Sequence, residues 1–372
     1  MDSSVPDIVF DSNGQCNYCK IHDAMIQHYP RGVNGKEKWL NYVADMKKDG
    51  IGKEFDCIIG ISGGTDSSYL LHIAIENGLR PLAVNFDNGW NSDIAVSNIK
   101  KVTSKLNIPL YTYVVDYEEM KDILLAFMKA GLPWIDAPTD YAIFSTLYKT
   151  AIKHNIQYVL SGNDFRSEGK QPLEWTYSDI RTILHVNKLF GKTKFSSYPR
   201  YNLFTFVINQ MLSNYINIFP FYFLDYYKQD AQKLIIEKYD WQYYGEHHHE
   251  SLFTKFAIGY WLYNKFGIDK RKVTYSAQIR ENVITREEAL NIIKQPPFPE
   301  NKLKDNELNY LCNKLGINES EFDEIWNSKN HSFTEYNNYY KDTMILKEYF
   351  PSLLEKILKR KPGTDFLKDT LK

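Results

Sequence analysis

Cysteine is scarce in this chain. Four in 372 residues, at positions 16, 19, 57 and 312, are too few and too scattered for a disulfide framework, which fits a reducing compartment. A surplus of either charge is also missing. The 45 Lys and Arg against 46 Asp and Glu leave a net charge of −1, which argues against a broad nucleic-acid surface. Long uninterrupted apolar runs are absent too. The most apolar stretch, NLFTFVINQMLSNYINIFPFYFL at 202–224, is broken by Asn209, Gln210, Asn214, Asn217 and Pro220, so it reads as buried helix rather than a membrane span. No basic, apolar, small-residue leader opens the sequence, and a cytoplasmic chain is expected.

The chain is long enough for one large domain with an appendage, or for two. Residues 1–28 form a short, turn-rich segment carrying Cys16-Asn17-Tyr18-Cys19, and residues 29–54 read as a linker ending in a helix over 36–48. Residues 55–195 alternate strand and helix patterns. Strands are predicted at 55–61, 81–86, 110–115 and 157–161, with helices at 66–77, 92–106, 117–130 and 140–154 between them. That rhythm predicts an α/β fold, a doubly wound parallel sheet. From 196 to 372 the pattern reads as mainly helical, including 286–294, 306–315 and 343–359, and suits a substrate- or partner-facing region.

The most informative stretch is CIIGISGGTDSSYLLHIAIENG at 57–78. A β-branched strand runs into Ser62-Gly63-Gly64-Thr65-Asp66-Ser67-Ser68, and Leu70, Leu71, Ile73 and Ala74 then fall at helical spacing. The loop therefore sits at a helix N-terminus, where free backbone N–H groups and a partial positive charge favour an anion. Two glycines let that anion approach the backbone, and the hydroxyls of Ser62, Thr65, Ser67 and Ser68 add donors. A plain Gly-Gly turn with Asp66 or Ser67 as helix cap is the alternative, but the complete string between strand and helix favours phosphate. In such sheets ligands sit beyond the carboxyl ends of the strands. The segments at those positions are Asp87-Asn88-Gly89-Trp90 and Gly162-Asn163-Asp164-Phe165-Arg166-Ser167-Glu168.

The loop lacks the Lys of the nucleoside-triphosphatase pattern G-x-x-x-x-G-K-[ST]. It resembles instead the pyrophosphate loop of the ATP pyrophosphatases, the superfamily of asparagine synthetase, GMP synthetase and the tRNA thiolation enzymes. The resemblance implies cleavage of ATP between its α and β phosphates, giving an adenylated substrate and pyrophosphate. Such chemistry needs Mg²⁺ on hard oxygen ligands, for which Asp66 and Glu168 are the best-placed carboxylates. Asp87 is a candidate for nucleotide or metal contact, against a plain turn residue. Arg166, Lys255, Lys270 and Arg271 are candidate cations for the phosphates and the adenylating transition state, against solvated side chains.

A narrower resemblance follows from VPDIVFDSNGQCNYC near the start, the SGGTDSS loop, GEHHHESLFTKF at 245–256, FGIDKRK at 266–272 and ITREEAL at 284–290. Together they are similar to the N-acetyl sugar amidotransferases of surface-polysaccharide biosynthesis, over nearly the whole chain. That resemblance implies conversion of the acetamido group of a nucleotide-activated N-acetyl sugar into an acetamidino group, with ammonia from a separate glutaminase subunit. It places His248, Glu250 and Ser251 in the family's HES motif, where His248 is a candidate substrate contact, proton shuttle or metal ligand, against a structural histidine. Close relatives carry a further Cys-x-x-Cys pair upstream of MDSSVPDIVFD. Cys16 and Cys19 alone are half of a tetrahedral zinc site, whose other ligands would be lost or come from His22, His28 or the His247–His249 cluster. Rival readings are a tRNA-thiolation enzyme and a catalytically silent ATP-binding scaffold for a glutaminase.

Overall fold

A computed structural model describes residues 1–201, 215–245, 250–298 and 305–349. Five strands form one parallel sheet in the order β3-β2-β1-β4-β5, where β1 is Cys57–Gly60, β2 Pro81–Asp87, β3 Leu110–Val114, β4 Tyr158–Leu160 and β5 Ile216–Ile218. The fold is the predicted doubly wound α/β arrangement with a helical C-terminal region. β1 lies at the centre, with Ile58 opposite Leu82 of β2 and opposite Val159 of β4. Its residues alternate between two cores, as a strand buried on both faces requires. Cys57 and Ile59 pack with Trp39, Val43 and Met46 of α2 (Gly32–Asp49), Leu70, Leu71 and Ala74 of α3 (Thr65–Glu76), and Ile99 and Val102 of α4 (Asp93–Lys105). Ile58 packs on the other face with Leu82, Val84, Val159 and Tyr148 and Ala151 of α6 (Ala137–Lys153). β3 is an edge strand, and Val114 there is 67% exposed.

Helix starts follow local chemistry. Ser92 accepts from the Ala95 N–H at 3.2 Å to open α4, and Asp116 accepts from Glu118 N–H at 2.8 Å to open α5 (Tyr117–Lys129). The N-terminal helix α1 spans Asn17–His28, a four-residue α7 spans Phe165–Glu168, and α8 spans Ile180–Phe190. A third core joins α5 and α8 to the C-terminal helices through Met120, Ile123, Phe127, Ile183, Val186, Phe253, Trp261, Leu311 and Phe322. Within that core Ala257–Lys265 is π-helical, a rare geometry, and Trp261 donates to the Leu132 carbonyl at 2.9 Å.

The region from 196 onward reads as mainly helical, and β5 is a short exception within it. Ile216-Asn217-Ile218 pairs in parallel with Tyr158-Val159-Leu160, so a sheet position rather than local periodicity decides its conformation. The buried-helix reading of 202–224 falls partly outside the described residues; Tyr215 is buried there, and Pro220–Tyr222 is a single 3₁₀ turn.

Candidate nucleotide site

At the carboxyl end of β1 the chain turns through Ser62–Thr65. Gly63 has φ +79°, and a Cβ there would stand 2.3 Å from the Ala95 carbonyl oxygen, so only glycine fits. Gly64 is the N-cap of α3 and offers no capping side chain, so the helix start has no side-chain cap of its own. Ser67 Oγ stands 3.3 Å from Ser62 Oγ and from the Ser62 N–H, so the two hydroxyls brace the turn. Ser68 Oγ is fully buried with no hydrogen-bond partner. A glycine-walled cradle, an uncapped helix start and an orphaned hydroxyl together fit the phosphates of ATP.

Later segments build the walls of the cradle. Trp241 Nε1 donates to the Gly63 carbonyl at 2.9 Å, and Asn98 Nδ2 donates to the same oxygen at 3.3 Å while its side chain also pins the Gln242 backbone. Gln232 Nε2 donates to Thr65 Oγ1 at 3.1 Å. Tyr226 donates to Asp66 Oδ1, and Lys228 Nζ lies 3.4 Å from Asp66 Oδ2. Tyr226 stacks on Phe221 with ring centroids 4.1 Å apart, and burial together with the charges of Asp66, Asp164 and Glu168 pushes its phenol far up, so it remains a donor. Asn98 apart, these residues escaped sequence reasoning because they lie some 160 to 180 positions from the loop in the chain. Nothing in Asp225-Tyr226-Tyr227-Lys228 or Asp240-Trp241-Gln242 marks them as loop partners.

The sequence-predicted residues divide into groups. Gly162 abuts the loop, since a Cβ there would lie 3.2 Å from the Asp66 backbone, and this brings the end of β4 against the first turn of α3. Glu168 closes α7 beyond that point, 3.5 Å from Asn163 Nδ2, and its charge reaches the same Tyr226 phenol as Asp66. Among the described residues no three His, Cys, Asp or Glu side chains converge as a ready metal site. Mg²⁺ commonly needs only one or two carboxylates when phosphates supply further oxygens, so Asp66 and Glu168 fit that role. Asp87 closes its turn by accepting from Gly89 N–H at 2.9 Å.

The candidate cations differ sharply. Lys270 Nζ lies 4.3 Å from the centre of the Trp134 ring; burial lowers it, opposed by the charges of Asp140, Glu168 and Asp136. Glu168 is thus among the charges that act on Lys270. Arg271 is bound through Nε and Nη2 to Asp269 and also donates to the Gln295 carbonyl at 2.8 Å, which makes it an anchor for the helix it begins. Lys255 pairs with Glu307 at 2.9 Å. Arg166 is buried between Glu281 at 3.0 Å and the Tyr29 carbonyl at 2.6 Å, so it ties the loop after β4 to both ends of the fold. Burial raises Asp164 within the same network despite Arg31 at 3.3 Å. His248 lies outside the described residues.

Among the described residues no zinc site is completed at Cys16 and Cys19, and His247–His249, the other expected ligands, lie outside them. The two cysteine sulfurs are 3.4 Å apart, but Cys16 is engaged as the N-cap of α1, and His22 is turned to Glu281 at 3.1 Å. His28 packs edge-on against Tyr29, with ring centroids 4.6 Å apart. The other two cysteines are buried, and burial pushes the thiols of Cys57 and Cys312 up.

Residues 250–349 match the family model described as LPS biosynthesis protein WbpG-like, C-terminal domain. No curated protein matches the chain. Among solved structures, NMN synthetase from Francisella tularensis is similar at 14% identity over 80% of this chain and 97% of that one, with a TM-score of 0.36. The NH3-dependent NAD synthetase from Campylobacter jejuni subsp. jejuni NCTC 11168, in complex with the nitrate ion, gives 13% identity over 81% and 99%, with a TM-score of 0.34. Likenesses this slight carry no weight for the chemistry of this chain. No described helix is long and apolar enough to cross a membrane.

Proposed function

We propose that this chain is the ATP-dependent synthetase subunit of a sugar amidotransferase in lipopolysaccharide or related surface-glycan biosynthesis. Its substrate is a nucleotide-activated N-acetyl sugar, and its product carries an acetamidino group. The observation that carries the reading is the pairing of two features in one chain: the Ser62–Ser68 cradle between β1 and α3, and the match of residues 250–349 to a lipopolysaccharide-biosynthesis domain.

In this reading the amide oxygen of the acetamido group attacks the α phosphorus of ATP, and the bond to the β phosphate breaks. Gly63, Gly64 and the first N–H groups of α3 hold the departing pyrophosphate, where donors aimed at developing charge are most effective. Asp66 and Glu168 would hold Mg²⁺, which neutralises charge on the phosphate oxygens when bound. Tyr226 keeps the Asp66 carboxylate oriented. Ammonia then adds to the activated carbon and AMP departs with the former amide oxygen, leaving the amidine. Lys270, beside Glu168, is a candidate to meet the adenylate.

Glutamine hydrolysis requires an activated nucleophile such as a cysteine thiolate. Cys57 and Cys312 are buried with raised thiols, and Cys19 is also pushed up by burial. These buried thiols support the reading in which ammonia comes from a separate glutaminase. Cys57, buried at the start of β1 with its thiol pushed up, also disfavours the tRNA-thiolation alternative, which wants a reactive thiol by the loop.

The test is incubation of the purified chain with ATP and acetamido nucleotide sugars, with ammonium, with glutamine, or with glutamine plus a glutaminase. AMP, pyrophosphate and a product about one mass unit lighter are expected with ammonium, as O is replaced by NH. Turnover with glutamine alone would refute the division of labour. ATP binding without turnover of any sugar would leave the scaffold reading standing.

A further inference from the structure

The helix Asp305–Leu315 lies inside the stretch matched to the lipopolysaccharide-biosynthesis domain, and its last turn carries Lys314. A lysine there is ordinarily a solvated charge facing the carbonyl end of its own helix. This one is turned onto three rings. Its Nζ lies 4.8 Å from the centre of the Trp90 ring, 5.5 Å from that of Tyr117 and 5.6 Å from that of Tyr310. The same ammonium donates to the Gly89 carbonyl. Ring faces hold a cation most strongly where water is excluded, and Trp90 is fully buried.

The surroundings of this cage are fixed. Tyr117 Oη donates to the Lys314 carbonyl at 2.6 Å; burial, with Tyr310 and Glu118 nearby, pushes its phenol up to about 12, so it stays a donor. A Cβ on Gly89 would stand 2.7 Å from the Tyr117 ring, so the turn and the ring are in direct contact. Trp90 N–H donates to Asn88 Oδ1 at 3.0 Å, and the Trp90 carbonyl accepts from Leu252 N–H at 3.0 Å.

The turn that Lys314 holds, Asp87–Trp90, closes β2. Strands β1 and β2 run in register, with Gly60 opposite Val84, and Ile61 N–H donates to the Val84 carbonyl at 2.8 Å. Asp87 lies as far beyond Val84 in sequence as Gly63 lies beyond Gly60, so the turn leaves the sheet level with the phosphate cradle. In nucleotide-binding sheets the phosphates take the helix after one strand and the ribose the end of its neighbour.

We propose that Lys314 is a positioning residue of the nucleotide site: its caged ammonium holds the Gly89 carbonyl and so sets the turn that receives the nucleoside of ATP. This rests on the reading that the Ser62–Ser68 loop binds the phosphates. Lys314 acts through the turn rather than on the substrate, and it gives the C-terminal region a part in selecting the nucleotide.

The experiment is calorimetric binding of ATP and of inorganic tripolyphosphate, each with Mg²⁺, to the full chain, to Lys314→Met and to Lys314→Arg. Methionine keeps an unbranched apolar stem over the rings and removes the charge, whereas arginine keeps a cation and a donor for the Gly89 carbonyl. Lys314→Met is expected to bind ATP about tenfold more weakly. Tripolyphosphate, which needs the cradle alone, is expected to bind it as it binds the unmodified chain, and Lys314→Arg to recover most of the ATP affinity. Equal losses of both ligands in Lys314→Met would show a general loosening of the fold, and unchanged ATP affinity would show a merely solvated lysine. Either result overturns the proposal, as does an arginine variant no better than methionine. If the unmodified chain binds neither ligand, the cradle reading itself fails and this proposal falls with it.

Discussion

Gly63→Ala, paired with Gly52→Ala, isolates what the cradle demands of its backbone. Both glycines are left-handed, with φ of +79° and +75°, so each alanine bears the same penalty of about 1–2 kcal/mol for placing a Cβ in that region. At Gly52 nothing lies within 4 Å of the new atom. At Gly63 the Ala95 carbonyl oxygen lies 2.3 Å away and its carbon 2.9 Å, both in the backbone of α4. Making room by moving backbone adds the cost of overpacking, about 1–3 kcal/mol. The total for Gly63→Ala is then about 2–5 kcal/mol against about 1–2 for Gly52→Ala. Domain stabilities run about 5–15 kcal/mol, so the variant should still fold and be measurable. Displacing the loop also strains the bonds from Trp241 and Asn98 to the Gly63 carbonyl. Urea unfolding should therefore show a clearly larger loss for Gly63→Ala, and calorimetry should show ATP binding abolished there and retained in Gly52→Ala. Equal losses, or normal ATP affinity in Gly63→Ala, would refute the reasoning.

Asp66→Asn should leave the fold intact, because Tyr226 can still donate to the amide oxygen, but AMP formation should disappear for want of the Mg²⁺ carboxylate; undiminished AMP release from folded protein would contradict the assignment. Cys57→Ala should cost about 1–3 kcal/mol in urea unfolding, as for other buried truncations, while AMP formation persists, whereas its loss in folded protein would revive a thiol mechanism. Burial would raise the Glu119 carboxyl, but Ser196, Ser197 and Tyr198 donate to it and hold it below the ordinary 4.5. Because the folded value is the depressed one, its contribution is fully present above pH 4.5 and is lost as pH falls toward the folded value. Glu119→Gln should remove that part of the acid-side loss of stability, and identical acid-unfolding profiles for the two proteins would count against it.

The sheet was legible because β1, β2 and β4 are mainly apolar runs closed by turns, which announce burial on both faces, while the β-branched and aromatic residues of the edge strand β3 fit a partly exposed strand. β5 was not, since Ile216-Asn217-Ile218 is too short to show a period and follows a stretch that reads as helix. Its conformation comes from β4, which is more than fifty residues earlier. At the site the loop itself was legible in residue type and spacing. Tyr226, Trp241 and Tyr244 were not, because an aromatic residue becomes a loop partner only through distant packing. Arg271 was read as a candidate phosphate contact although Asp269, two residues before it, already offered a local partner.

The strand order also fixes when the cradle can become whole. Its glycines lie in the turn between β1 and α3, yet Tyr226, Trp241, and also Tyr244 and Glu250, whose side-chain oxygens stand 3.1 and 3.4 Å from where a Cβ on Gly64 would be, complete it from far downstream. At translation rates of about 5–20 residues per second, roughly 10–40 s separate the appearance of Ser68 from that of Glu250. During that interval the nascent chain carries the glycine turn without its cover, and any message cut short before codon 250 yields a protein whose cradle cannot be finished. The proposed nucleotide site is thus completed late in synthesis, by a chain whose C-terminal helices have only begun to emerge.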